Sequence, residues 1–162
     1  MKALFVCLSI LLFVNDAAAA TGDTFITVAY KVKSERIKPK PGSGVGAAEL
    51  HMVLHANGTV DDVLEGKGNY AKKWETKKRK LGKQKEGAVQ YRVLDNRTIE
   101  RIASGKTFVH SIKVMVEERS CKAEVAYTLK PGEKEMVIFS TGLGEMTHYS
   151  ELKAFDVHCK IE

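Results

Sequence analysis

The sequence predicts an all-β domain, an antiparallel β-sandwich or small β-barrel of about eight to nine strands in a meander, with one intrachain disulfide. Apolar residues recur with period two over several segments, the spacing of side chains that share one face of a strand. Turn-forming residues interrupt these segments at hairpin intervals. Two cysteines, Cys121 and Cys159, lie downstream of an export signal, where a disulfide is the simplest use of a pair.

The chain opens with Met1 and Lys2, an apolar block from Ala3 to Val14, the polar pair Asn15 and Asp16, and the small residues Ala17 to Ala20. A basic start, an apolar core of about a dozen residues and an Ala-x-Ala end constitute a cleavable signal peptide over residues 1–20, with a core too short to span a bilayer. Cleavage after Ala19 or Ala20 leaves a single β-domain, residues 21–162, long enough for one core and short for two. Leu4-Phe5-Val6-Cys7 superficially resembles a lipid-attachment box, but the apolar region continues past Cys7 and Val6 is bulkier than the small residue needed there. The expected location is the periplasm or the extracellular space, and no other apolar run approaches the roughly twenty residues of a transmembrane anchor.

The strands follow in order. Ile26, Val28, Tyr30 and Val32 share one face, and Thr27, Lys31 and Lys33 the other. Residues 38–46, with two prolines and three glycines, read as a flexible loop or the wide end of a hairpin. Asn57-Gly58 then separates a strand around residues 50–55 from one around 60–64. Residues 66–87 fit either two edge strands with a lysine-rich tip or a short helix carrying Tyr70, Trp74 and Leu81 on one face. The closely spaced bounding glycines favour the edge strands.

Asp95-Asn96 marks the next turn, and Ser104-Gly105-Lys106 divides residues 98–103 from 107–117. In the second of these, Phe108, His110, Ile112, Val114 and Val116 share a face. Cys121, Ala123, Val125, Tyr127 and Leu129 alternate in the same way, which puts Cys121 on a buried face. Pro131-Gly132 suits a type II turn before a strand around 135–139. A last strand around 155–161 points Cys159 the same way as Val157 and Ile161. A bond between Cys121 and Cys159 closes a loop of 38 residues, for which chain entropy gives about 4 kcal/mol of stabilisation.

Charge is concentrated. The chain carries a net +6, yet residues 67–85 alone hold nine basic residues against Glu75, a surplus of eight. A further surplus of four lies over residues 31–40, so the remainder is net negative by six. Lysines beside an aromatic ring suit a polyanion, because the cations release counterions while the ring stacks on bases or sugars. The candidate anion-binding residues are Lys72, Lys73, Trp74, Lys77, Lys78, Arg79, Lys80 and Lys83. For an exported chain the matching partner is an anionic envelope polymer or an acidic protein, with nucleic acid a weaker fit. The competing explanation is an edge kept from aggregating by its lysines.

Catalytic and metal signatures do not assemble. His51 and His55, four apart on extended chain, are separated by about 13 Å and cannot share one ion. His110, His148 and His158 fall on separate segments and read as ordinary surface or half-buried histidines. Ser150-x-x-Lys153 lacks the later motifs of an acylating site. Ser104-Gly105-Lys106-Thr107 has Glu100 where a phosphate loop needs glycine. Asn57-Gly58-Thr59 and Asn96-Arg97-Thr98 are glycosylation sequons, but asparagine at a turn is explained more economically by local structure. No cofactor is expected. The sequence therefore points to a non-catalytic envelope or secreted binding protein. The alternatives are a lipocalin-like carrier of a small apolar ligand, or an enzyme or inhibitor whose site forms only in three dimensions.

Overall fold

The alternating segments form ten antiparallel strands in the computed structural model, which describes residues 22–67, 73–74, 89–140 and 145–162. They are β1 (Thr24–Lys38), β2 (Gly42–Leu54), β3 (Val60–Lys67), β4 (Lys73–Trp74), β5 (Val89–Val93), β6 (Thr98–Ser104), β7 (Phe108–Glu117), β8 (Ser120–Leu129), β9 (Met136–Ser140) and β10 (Glu145–Ile161). No helix occurs among the described residues. One sheet runs β4-β3-β2-β1-β10-β9 and the other β5-β6-β7-β8. Within β1–β4 and within β5–β8 each strand pairs with its successor, β9 pairs with β10, and β10 returns to lie beside β1.

The two sheets face each other through the residues that the period-two pattern turns inward. Ile26, Val28 and Tyr30 of β1, Leu50 and Met52 of β2 and Val60 of β3 pack against Tyr91, Ile112, Val114 and Cys121 from the four-stranded sheet. Each fully buried side chain of this size stabilises the fold by about 1.5–3 kcal/mol relative to exposure. A second cluster, Phe108, Met136, Tyr149 and Leu152, packs together on β7, β9 and β10. There the Thr107 hydroxyl accepts a bond from the Val137 amide at 2.8 Å.

The turns form where the sequence places them. Gly58 and Gly132 take φ of 77° and 85°, a region open to glycine at no steric cost. Glu133 N–H donates to the Lys130 carbonyl at 3.1 Å, closing the turn around Pro131-Gly132. Asn57 Oδ1 accepts from the amide and hydroxyl of Thr59 at 3.0 and 2.7 Å, and Asp95 Oδ1 accepts from the Arg97 amide at 2.8 Å.

Two segments differ from expectation. Gly42 to Gly46 is not a flexible loop but the first part of β2, paired in continuous register with Val32 to Arg36. Cross-strand hydrogen bonding to a long partner outweighs the weak strand preference of glycine. The last strand is also far longer than residues 155–161. Its alternation is interrupted near Ser150 and again near Asp156, where the pairing with β1 slips by a residue. Asp156 takes a φ of 53° at the second bulge, a conformation aspartate tolerates better than most residues. The slip restores Val157, Cys159 and Ile161 to the inner face after Leu152 and Ala154.

Candidate functional site

The strands bring together a cluster of polar side chains between the sheets. Val60, Asp62 and Leu64 occupy the inward phase of β3, so Asp62 enters the core with its apolar neighbours. Ile99, Arg101 and Ala103 do the same on β6, and Tyr91 of β5 pairs with Arg101 in register. Arg101 Nε donates to Asp62 Oδ2 at 2.7 Å, with side chains 3% and 0% exposed. Burial pushes the Tyr91 hydroxyl ionisation far up, and the Asp62 carboxylate adds to this, since a phenolate beside it would be a second buried anion.

His110 and Tyr127 are direct cross-strand partners on β7 and β8. Their rings stack at 4.5 Å between centroids with 14° between planes. His110 Nε2 lies 3.2 Å from the Tyr30 hydroxyl, which belongs to the opposite sheet. Desolvation, followed by the Arg101 charge, lowers the His110 pKa from 6.5 to about 3. Burial likewise raises the ionisation of Tyr30 and Tyr127. His110 is thus neither a surface nor a half-buried histidine. It stands at 7% exposure because it shares the inward phase of β7 with Phe108, Ile112 and Val114.

Chemically, this cluster ties the sheets together. The imidazole is neutral at physiological pH, shielded from water and bound to a phenol, so it is not placed to exchange protons with a diffusing substrate. The remaining histidines have separate partners. His51 lies 3.3 Å from Glu49 and from Thr27, while His148 and His158 contact Glu135 and Asp156 at 2.7 and 2.9 Å. Among the described residues, no group of three or more His, Cys, Asp or Glu side chains could hold a metal ion.

His55 sits between Asp61 and Asp23, each 3.0 Å from one ring nitrogen. The hydrogen bond to Asp61 and then that to Asp23 raise its pKa above 6.5. A raised histidine stabilises the fold fully below its unfolded pKa and loses that contribution as pH rises through the folded value. His55→Gln should therefore lower the urea midpoint more at pH 5 than at pH 9. An equal loss at both values would contradict this assignment.

The disulfide joins Cys121 on β8 to Cys159 on β10, with Cα atoms 5.5 Å apart. It fastens the seam where the two sheets meet, and a shallow depression there is lined by Met115, Lys122, Glu124, Val157 and His158 beside the cystine. At the other side of the sandwich, the register pairs Lys73 with Glu65 and Trp74 with Leu64, making β4 the rim of the larger sheet. β5 is the rim of the smaller one. Of the candidate anion-binding residues, Lys72, Lys77, Lys78, Arg79, Lys80 and Lys83 lie outside the described residues, as does the segment 1–20.

Fold and site together define a disulfide-fastened antiparallel β-sandwich with a buried ionic and aromatic tie between its sheets. No protein family, curated protein or solved structure matches the chain.

Proposed function

We propose that the mature domain is an exported, non-catalytic binding protein for an anionic polymer, engaged through the basic segment 67–85. The observation that carries this reading is the surplus of eight positive charges in that segment, against a whole-chain charge of +6. Within this segment Lys67 ends β3, and Lys73–Trp74 form β4 at the rim of the larger sheet. A rim exposes backbone and side chains to an extended ligand without disturbing the core. The interior supports a surface site over an enclosed one, because Val28, Leu50, Met52, Ile112 and Val114 fill the centre of the sandwich.

The test is retention of residues 21–162 on heparin and on phosphocellulose across a salt gradient. Counterion release makes such binding steeply salt-dependent, with affinity falling about a thousandfold between 50 and 200 mM salt for six or more contacts. Joint reversal of Lys77, Lys78, Arg79 and Lys80 to Glu should abolish retention. The same number of reversals at Lys106, Lys134, Lys153 and Lys160 should leave most of it. Equal loss in both variants would reduce the effect to net charge and overturn the proposed site, as would unchanged retention in the first. The chain contains one tryptophan, Trp74, whose fluorescence should shift on binding.

A further inference from the structure

We propose that the Tyr30–His110–Tyr127 cluster is an acid-sensitive latch, in which a neutral imidazole holds the two sheets together and its protonation releases them around the disulfide as a hinge. The contact between His110 and Tyr30 crosses from β7 in the smaller sheet to β1 in the larger. The cystine joins the sheets at the β8–β10 seam, and Arg101 with Asp62 joins them again through β6 and β3. Cutting the middle tie would leave the seam covalently closed and leave β5, β6 and β7 held across the sandwich by the Arg101–Asp62 pair in place of two polar ties.

The surroundings of His110 make it the point of failure. The ionisable groups facing it are Tyr30 from β1, Tyr127 from β8 and Arg101 from β6, and the Arg101 charge is balanced by Asp62 of β3. A second cation here would stand near Arg101 in a buried site, where the Asp62 carboxylate is already bound to that arginine. With both ring nitrogens then protonated, Nε2 could accept no hydrogen bond from the Tyr30 hydroxyl 3.2 Å away. Contact with the Tyr127 face recovers only part of the lost hydration.

The direction follows from the lowered ionisation. The unfolded chain takes up a proton below pH 6.5 and the folded chain only near 3. Stability is therefore intact above 6.5 and is lost as pH falls towards 3. Each unit is a tenfold change in the folded-to-unfolded ratio, or roughly three-thousandfold over the whole interval.

The experiment uses oxidised residues 21–162. Urea midpoints between pH 7.5 and 4 should give the wild type about one more proton taken up on unfolding than His110→Phe; equal uptake would overturn the latch. The His110 ring resonances of the folded wild type, which need no variant, should stay untitrated down to pH 4. Titration near 6.5 would refute the proposal even if His110→Phe did not fold. Amide protection at pH 4 should be lost from β5–β7 before β1 and β10, and simultaneous loss from both sheets would rule out a hinge.

Discussion

Arg101→Met is expected to destabilise the domain by about 3–5 kcal/mol, the usual cost of leaving one member of a buried ion pair without its partner. The Asp62 side chain is wholly buried and receives the Arg101 Nε–H at 2.7 Å. Removing the guanidinium leaves a carboxylate that must either stay charged in the core or take up a proton, and both alternatives weaken the fold at neutral pH. Asp62→Leu should be costly too, because it strands the guanidinium.

The double variant Asp62→Leu/Arg101→Met is expected to recover much of either loss, since apolar replacements of similar volume commonly match or exceed a buried ion pair. Urea unfolding of all four proteins at pH 7 closes the thermodynamic cycle, with a coupling of more than about 2 kcal/mol expected for residues in direct contact. Single variants within 1 kcal/mol of wild type would show that the pair is not a buried tie.

These two residues also show where sequence reasoning runs out. The strands themselves were legible, because Ile26, Val28 and Tyr30, or Phe108, His110 and Ile112, repeat with period two and nothing competes with that signal. The disulfide was legible for the same reason, since Cys121 and Cys159 fall on inward phases. The ionic tie was half visible. Asp62 lies between Val60 and Leu64, and Arg101 between Ile99 and Ala103, so opposite charges occupy inward positions on two strands. That they meet depends on β3 and β6 lying across from each other, which local periodicity does not encode. His110 shares a strand face with Phe108 and Ile112 in the sequence, but its neutrality comes from desolvation and from Arg101, both products of tertiary packing that periodicity does not carry. The length of β10 was hidden by its bulges, which shift the phase of the very pattern used to find strands.

Replacing Cys121 and Cys159 together by Ala is expected to cost about 4 kcal/mol, most of it arising in the unfolded chain. The bond closes a loop of 38 residues, and removing it returns the entropy of that loop to the denatured ensemble. The folded side should change little. Around Cys159, β10 remains paired with β1 from Ile26–Ile161 to Val28–Cys159, and around Cys121 the β7–β8 hairpin pairs Val116 with position 121. Both cysteines also belong to the main core, so truncation to Ala adds a smaller packing loss. Intact mass of the wild type under non-reducing conditions should be two hydrogens lighter than after reduction. The double variant should keep its strand signature by circular dichroism while its urea midpoint falls in proportion to the lost 4 kcal/mol. A loss below 1 kcal/mol would mean that the denatured chain already holds residues 121 and 159 together. In that case β8 and β10 associate early, and the seam forms before the bond that fastens it.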